Sequence, residues 1–376
     1  MRGSLKTTLK GVASALLLTT ALFGRAASNT FEAARFRQLE GQGATAASFI
    51  NEEARDPSVV EESLDSFVGQ HPRDPFGAPA RREPASPTRR EPSARGAALP
   101  SSVSFRESGR GLLVKTWING AGPFDFALDT GAGATILSSR AASAARVEVE
   151  AGGRGVTIGG LSGATRAGAQ KAFVRTLALG SRDNNVGTRG LFVVAPGLPE
   201  DVDGILDPSE LFTSVGFTID MPNGTLSFFD PRTRPLRAGQ APPEGAVVPW
   251  LTEGGSRRPF VMLAEGRRAL LDTGSGFGLA VDDAAARALG IIQTEGRRRT
   301  GTRDLAGGEV HSSRIRSATV SVGPLVLRGV PTDLLTRAQK GAPVILGRDA
   351  LRPFRLTFDP VSRLVMLDPN ADSSRP

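Results

Sequence analysis

The sequence predicts an all-β protein built from two related halves. From residue 101 onward, short runs of β-branched and other apolar residues are separated by Gly, Pro and Asn, which is typical of strands joined by tight turns. A helical pattern is clear only at residues 282–289. In addition, the stretch FALDTGAGAT at 126–135 is similar to LLDTGSGFGL at 270–279, which indicates an internal repeat.

The N-terminal region has the layout of a secretory signal peptide. Arg2, Lys6 and Lys10 precede an apolar run at 11–23, and small residues follow that run. The run is shorter than the roughly 20 residues that a membrane span needs. We therefore predict a cleaved signal at 1–27, an extracytoplasmic protein, periplasmic or secreted, and no stable membrane span after cleavage. A short N-terminal anchor or a core helix is the alternative.

Residues 28–100 are predicted to form a helical or disordered Pro- and Arg-rich linker or a pro-segment. The apolar residues between 31 and 68 have a loosely helical spacing. From 71 to 100, seven prolines alternate with Arg and Ala. Such a composition buries too little apolar surface to offset the entropy lost on ordering the chain.

The composition excludes several kinds of chemistry. The chain has no Cys, which removes disulfides, thiol nucleophiles and thiolate metal sites, and only two His residues, His71 and His311. We predict neither a metal nor a cofactor. The net charge of +8 comes from short clusters without interleaved aromatic residues, and there is no Tyr. A solvated basic surface is therefore favoured over binding of nucleic acid.

Strands are predicted where apolar runs lie between turn residues. They fall at 112–118, 124–128, 147–149, 156–158, 173–179, 191–194, 217–219, 226–229 and 364–367. A further helix start is indicated by Asp207 before Pro208, because an Asp side chain caps the first turn of a helix and Pro fits its first position.

The internal repeat extends beyond the two similar stretches. In each half an apolar run ends in an Asp-Thr-Gly triplet, with carboxylates at Asp129 and Asp272. ILDPSEL begins 76 residues after the first Asp, and ILGRDAL begins 73 residues after the second. A carboxylate at the end of an apolar run is costly to bury. Finding it twice predicts one site with a contribution from each half.

These motifs resemble those of the aspartic proteases of the pepsin and retropepsin group. The family pattern is an apolar run, then DTG followed by Ala, Ser or Thr, and later two apolar residues before Gly. Both triplets match, and ILG at 345–347 matches the later element, whereas Asp207 replaces the Gly in the first half. The resemblance implies the acid protease fold, with two homologous six-stranded, barrel-like lobes at 101–239 and 240–376 and a cleft between them. It also implies an aspartic-type endopeptidase with a polypeptide substrate. One chain carries both triplets, so a monomer suffices.

The chemistry of this family needs two carboxylates that share one proton. One carboxylate takes a proton from water while the other protonates the substrate, so that a peptide bond is hydrolysed without a metal or a covalent nucleophile. Two close carboxylates cannot easily both ionise, so one pKa rises. By resemblance, Asp129 and Asp272 are the predicted catalytic residues. The alternative is that each Asp is an ordinary turn residue at a strand end.

The residues after each Asp are predicted to support the site. Gly131 and Gly274 allow a tight turn and let backbone amides approach the carboxylates. By resemblance, Thr130 and Thr273 are buried and hydrogen-bonded across the two halves. Ser275 is predicted to bond Asp272, whereas the corresponding Ala132 cannot bond Asp129. This asymmetry indicates activity closer to neutral pH than in pepsins.

The family also covers its substrate with a hairpin flap. The Gly-rich stretch IGGLSG at 158–163 is the first candidate, and LAGG at 305–308 is its counterpart in the second half. The flap residues predicted from these stretches are Ile158, Gly159, Gly160, Leu161, Gly307 and Gly308. Because the chain has no Tyr, Ile158 or Leu161 takes the place of the Tyr of pepsin flaps. The alternative is an ordinary surface hairpin.

The sequence pattern is also compatible with two other functions. A catalytically idle peptide-binding or scaffold module with the same fold is the principal alternative, since Asp207 and the missing flap Tyr depart from the family pattern. A hydrolase with a Ser nucleophile is disfavoured, because the sequence has no G-x-S-x-G element and few His.

Overall fold

The computed structural model describes residues 30–31, 48–50, 98–151, 155–188, 190–253, 255–264, 266–292, 296–299, 302–338 and 341–369. Strands dominate these residues and the helices are short, which confirms the predicted all-β class. The predicted signal peptide at 1–27 lies outside the described residues. So does nearly all of the predicted linker or pro-segment at 28–100.

The elements up to residue 229 are mostly short strands. They are β1 (Thr30–Phe31), β2 (Ser48–Ile50), β3 (Val103–Ser108), β4 (Gly111–Ile118), β5 (Ala121–Leu128), β6 (Thr135–Ser138), α1 (Ser139–Ala144), β7 (Glu148–Val149), β8 (Val156–Gly160), β9 (Thr165–Phe173), β10 (Leu177–Leu179), β11 (Asn185–Val186), β12 (Phe192–Ala195), β13 (Gly204–Leu206), α2 (Pro208–Leu211), β14 (Gly216–Asp220) and β15 (Thr225–Phe229).

The remaining elements repeat much of this order. They are β16 (Ala246–Pro249), β17 (Leu251–Glu253), β18 (Ser256–Met262), β19 (Arg268–Asp272), β20 (Leu279–Val281), α3 (Asp283–Ala288), β21 (Arg297–Arg299), β22 (Ser312–Val322), β23 (Leu325–Leu335), β24 (Val344–Gly347), α4 (Arg348–Leu351), β25 (Arg355–Asp359) and β26 (Leu364–Asp368).

The described strands form two sheets, one of nine and one of 17 strands. Within the larger sheet, strands from the two halves of the sequence pair directly: β14 runs antiparallel to β25, with Thr218 opposite Thr357. Their outer neighbours are β15 and β26, which are the last strands of the two halves. The matching ends of the repeat are thus joined in one continuous ladder. The N-terminal strands β1 and β2 pair with β23 and β8.

A repeated three-strand unit positions the two Asp-Thr-Gly triplets. In the first half, β5 runs parallel to β13, which also pairs antiparallel with β6. In the second half, β19 runs parallel to β24, which also pairs antiparallel with β20. The apolar side chains of residues 126–128 in β5 and of the other five strands are almost completely buried, which is why each of these segments is a continuous apolar run. Both triplets therefore lie at the carboxyl end of a buried strand.

The four helices among the described residues are short, and three of them begin at a side-chain cap. Asp282 caps α3 by accepting a hydrogen bond from the Ala285 amide, which agrees with the predicted helix at 282–289. Asp207 caps α2, and Pro208 is its first residue, as predicted. Helices α1 and α3 follow corresponding strands of the two halves, and so do α2 and α4.

Eight of the nine predicted strands are confirmed to within three residues at each end, and the strand predicted at 173–179 is wrong. Strand β9 ends at Phe173, and β10 begins at Leu177. Between them, the amides of Arg175 and Thr176 donate to the side-chain oxygen of Asn119, at 2.9 and 3.2 Å, instead of to a neighbouring strand. An Asn side chain that replaces a strand partner in this way leaves no mark in the local sequence pattern.

The predicted six-stranded barrels are not seen as closed barrels, because the described strands form the two sheets given above. None of the helices among the described residues is both long and apolar enough to cross a membrane.

Candidate active site

Asp129 and Asp272 lie at equivalent places in the repeated unit. The Asp129 amide donates to the Leu206 carbonyl at 2.9 Å, which extends the β5 and β13 pairing by one bond. Asp272 is the last residue of β19 and lies opposite Gly347 of β24. The two carboxylic acids are 2 % and 0 % exposed. Burial of two acidic side chains at strand ends carries a large desolvation cost, which marks this place as a functional-site candidate.

The structure brings the two triplets into direct contact. A Cβ atom on Gly131 would lie 2.7 Å from the carboxyl carbon of Asp272, and a Cβ atom on Gly274 would overlap the carboxyl group of Asp129. Each Asp carboxyl therefore packs against the Gly of the other triplet. Neither glycine has a positive φ, so lack of space, not backbone conformation, excludes a side chain here.

Thr130 and Thr273 join the two triplets beneath the carboxylates. The amide of each Thr donates to the hydroxyl of the other. The Thr130 hydroxyl donates to the Leu271 carbonyl at 2.5 Å, and the Thr273 hydroxyl donates to the Leu128 carbonyl at 3.0 Å. Both Thr residues are completely buried. The predicted burial and pairing of these two residues is confirmed.

Backbone amides hold the carboxylates in place. Gly131 donates to Oδ1 of Asp129 at 2.8 Å, and Gly274 donates to Oδ1 of Asp272 at 2.9 Å, as predicted for the two glycines. The bond predicted from Ser275 comes from its amide, at 2.9 Å, and its hydroxyl instead accepts from the Phe277 amide. Oδ2 of Asp272 is buried and receives no amide or hydroxyl hydrogen bond from the described residues.

The environment favours a proton on Asp272. Burial raises the pKa of Asp272 well above its ordinary value, and the negative charge of the neighbouring Asp129 raises this pKa further. The hydrogen bonds from the Ser275 and Gly274 amides act in the opposite direction. The net effect is a raised pKa for Asp272. A buried acid next to a second acid is the arrangement that lets two carboxyl groups share one proton.

Asp207, which departs from the family pattern, supports the first triplet. Its Oδ2 accepts from the Gly133 amide at 2.7 Å, and its Oδ1 accepts from the amide and hydroxyl of Ser209. Burial raises the pKa of Asp207 well above its ordinary value, with further contributions from the charges of Glu210 and Asp129. The carboxyl group thus stabilises the turn after Asp129 from below.

Arg348 supports the second triplet, and sequence reasoning missed it. The residue is 3 % exposed, and its Nη1 donates to the carbonyls of Thr273 and Gly274 at 3.1 and 2.9 Å. Arg348 follows Gly347, just as Pro208 follows Asp207 in the first half. An acid therefore supports one triplet and a guanidinium supports the other. The charged residue in ILGRDAL was the available signal.

The predicted flap residues lie in or next to two turns that contact each other. Ile158, Gly159 and Gly160 belong to β8, and Leu161 follows them in the hairpin that leads to β9. Gly307 and Gly308 lie in a turn closed by the bond from the Gly307 amide to the Asp304 carbonyl. A Cβ atom on Gly308 would overlap the Ser162 hydroxyl, which places the two turns in contact.

Asp304 links the two turns through hydrogen bonds. Its Oδ2 accepts from the amide and hydroxyl of Ser162, at 2.8 and 2.6 Å, and its Oδ1 accepts from the Gly308 amide at 3.0 Å. Leu161 packs in a cluster with second-half residues such as Phe260 and Phe277. In the opposite direction, Leu305 packs in a cluster with first-half residues such as Ile158 and Ile136. Each turn therefore inserts a Leu into the other half.

A cavity of about 410 Å³ opens beside Asp129. Its lining includes Gly274 of the second triplet, Asp304 and Leu305 of the second turn, and three arginines, at 110, 166 and 303. Of the acids in the two triplets, Asp129 lines this space and Asp272 does not. Among the residues that the structure describes, no group of three or more His, Asp or Glu side chains is arranged to hold a metal ion.

Comparison with known proteins points to an aspartyl protease family. Residues 114–206 and 265–350 match a family model described as aspartyl protease, and the two regions include both Asp-Thr-Gly triplets. The match supports an aspartic protease family and suggests a hydrolase that acts on polypeptides. No curated protein matches the chain.

Proposed function

We propose that this protein is an aspartic endopeptidase that hydrolyses peptide bonds with a water molecule activated between Asp129 and Asp272. The reciprocal packing of each carboxyl group against the Gly of the other triplet carries the proposal. The hydrogen-bonded threonines and the matched family model support it.

In the proposed mechanism, the proton shared by the pair resides on Asp272 before reaction. Asp129 faces the cavity and takes a proton from the water, whose oxygen attacks the carbonyl carbon of the substrate. Asp272 gives its proton to the carbonyl oxygen, which forms a neutral tetrahedral gem-diol. A hydroxyl proton then returns to Asp272 while Asp129 protonates the leaving nitrogen, and the C–N bond breaks.

The proposed architecture has two lobes, 101–239 and 240–376, with the substrate between them. The turns at 158–163 and 305–308 act as flaps that open to admit a peptide and close over it. The two turns contact each other through Asp304 and the inserted leucines, and Asp304, Leu305 and Gly307 line the cavity beside Asp129, which supports this role. One chain carries both acids, so the proposed active form is a monomer.

We also propose that the protein acts outside the cytoplasm, in the periplasm or after secretion. The basic residues and apolar run at the start of the sequence support this location. N-terminal sequencing of the protein recovered from intact cells tests it. A new terminus near residue 28 is expected, and recovery of an unprocessed chain in the cytoplasm would contradict it.

The central test compares the parent with Asp129→Asn and Asp272→Asn on a mixed peptide library from pH 3 to pH 8. Asp230→Asn, which changes a half-buried acid outside the two triplets, is the matched control. Cleavage by the parent and the control is expected, with losses of roughly 1,000-fold or more in kcat for each active-site variant. Full activity in either active-site variant would contradict the shared-acid mechanism. An inert parent that still binds peptides would favour an idle binding module.

A further inference from the structure

The cavity beside Asp129 is lined by five charged side chains. Arg110, Arg166 and Arg303 contribute three guanidinium groups, and Asp304 and Asp129 contribute the acids. Arg110 bonds the carboxylate of Asp201 at 3.0 Å, so its charge is already balanced. Both carboxylate oxygens of Asp304 are occupied by Ser162 and Gly308. Arg166 and Arg303 are therefore the guanidinium groups of the lining that are left to bind an incoming carboxylate.

Arg166 is held in place by main-chain groups. Its Nη1 donates to the Pro196 carbonyl at 2.7 Å. A Cβ atom on either Gly197 or Gly307 would overlap the guanidinium group, and both glycines have positive φ values, of 74° and 85°. The guanidinium lies in a slot between these two glycines, so its position does not depend on a carboxylate.

Arg303 approaches the same place from the second half of the chain. Its Nη1 donates to the Gly307 carbonyl at 3.2 Å, next to the position where the Arg166 guanidinium contacts Gly307. Among the residues that the structure describes, neither arginine forms an ion pair with a carboxylate. Two guanidinium groups at one glycine repel each other unless an anion lies between them.

We propose that this cavity is a specificity pocket for an acidic side chain, Glu or Asp, of the peptide substrate close to the bond that is cut. Arg166 and Arg303 receive its carboxylate, since guanidinium groups bind carboxylates with two parallel hydrogen bonds. The cavity volume of about 410 Å³ lies within the range of about 300–1,000 Å³ found for ligand pockets. This inference rests on the proposed endopeptidase function, because the pocket adjoins Asp129.

The first experiment measures kcat/KM for pairs of peptides that differ only by Glu or Gln at one position, with the exchange moved along either side of the cut site. At one of these positions the parent is expected to prefer Glu about 10-fold or more. The double variant Arg166→Gln/Arg303→Gln loses this preference and still cuts the Gln peptide. Arg232→Gln, which removes an exposed arginine that does not line the cavity, keeps it.

The pH dependence separates recognition of charge from recognition of shape. The preference for Glu is expected to fall as the pH drops below the usual Glu pKa of about 4.3, because the carboxylate becomes protonated. Cleavage of the Gln peptide provides the reference at each pH. A preference that persists in the double variant, or no preference at any position, would overturn the inference while leaving the endopeptidase function intact.

Binding measurements keep the inference testable if the parent cuts nothing. Fluorescently labelled Glu and Gln peptides are titrated with the parent and the double variant. Tighter binding of the Glu peptide to the parent alone would support the pocket for an acidic side chain in a protein that is not a protease. Equal binding of both peptides, or binding of neither, would refute the pocket.

Discussion

The hydroxyl of Thr130 accepts a hydrogen bond from the Thr273 amide, and the hydroxyl of Thr273 accepts one from the Thr130 amide, each at 3.2 Å. Each hydroxyl also donates to a main-chain carbonyl of the opposite half. Four hydrogen bonds thus connect two segments that are far apart in the sequence. They set the distance between the two acids.

Replacing Thr130 by Val should therefore lower the stability of the whole protein. The change leaves the Leu271 carbonyl and the Thr273 amide buried without these partners, so the free energy of unfolding should fall by about 2 to 4 kcal/mol. Urea unfolding measures this difference. Thr116→Val is the matched control, because Thr116 is equally buried but makes only a local 3.4 Å bond, and its loss should cost less than about 1 kcal/mol. An equal fall in the free energy of unfolding in both variants would show that the hydrogen bonds between Thr130 and the second half do not stabilise the protein more than a local bond does.

The stability of the protein should respond to pH through Asp272. Because burial raises the pKa of Asp272 in the folded state, the unfolded chain loses this proton first, beginning near the ordinary Asp pKa of about 3.9. The stability associated with this group is fully present below that pH and is lost as pH rises towards the folded-state pKa. The Tm of Asp272→Asn relative to the parent should therefore increase from pH 4 to pH 7.

Asp230→Asn provides a control of opposite sign. The side-chain hydrogen bond from Arg232 lowers the pKa of Asp230. The stability that Asp230 contributes to the folded protein is therefore present above its ordinary pKa and is lost as pH falls. The Tm of this variant relative to the parent should not rise with pH. A Tm difference for Asp272→Asn that stays constant from pH 4 to pH 7 would mean that Asp272 is ionised in the folded protein throughout this range.

The raised pKa of Asp272 also predicts the pH profile of activity. The proposed mechanism needs a protonated Asp272, so kcat/KM should be maintained towards neutral pH and should decline as pH rises through the pKa of this acid. Initial rates on one peptide between pH 3 and pH 8 measure the profile. Activity confined to strongly acidic pH would contradict the assignment of the shared proton to Asp272.

The contact between the two candidate flaps can be weakened at Ser162. Ser162→Ala removes the 2.6 Å bond to Asp304 and the bond from the Ala164 amide, but retains the Ser162 amide. A hydrogen bond to a charged group is worth about 1.5 to 3 kcal/mol, so the closed arrangement should become at least roughly 10-fold less populated. Faster hydrogen exchange at the Gly308 amide and a lower kcat/KM are expected. Ser321→Ala on β22 is the control, and unchanged exchange at Gly308 would show that Asp304 does not hold the flaps together.

Eight of the 26 strands that the structure describes and the pairing of the triplets were predicted, because these features depend on local patterns. Apolar runs between turn residues predicted eight strands, and the repeated Asp-Thr-Gly predicted that the two acids would meet. The break before Leu177 was not predictable, because the donors there bind Asn119, which is remote in the sequence. Strand β9 was missed because most of its side chains are exposed, so it has no apolar stripe.

The contacts of the residues that support the site could not be predicted from local sequence patterns. Asp207 was recognised as a departure and as a helix cap, but its bond to the Gly133 amide depends on the packing of β13 against β5 and β6. Asp304 lies in a polar turn, and its partner Ser162 belongs to the other half of the chain. Arg166 and Arg303 meet at Gly307 from separate segments. No single stretch of sequence contains both members of any of these pairs.

The sequence by itself determined that two carboxylates would stand at the ends of two buried strands, because an apolar run must be buried and a Gly-containing turn must follow it. Duplication of that pattern made one joint site the simplest outcome. Only the tertiary structure decided which charges lie around the pair: an acid below one triplet, a guanidinium below the other and two arginines beside the cavity. Electrostatic interactions depend on distance and burial in three dimensions, and spacing along the chain specifies neither.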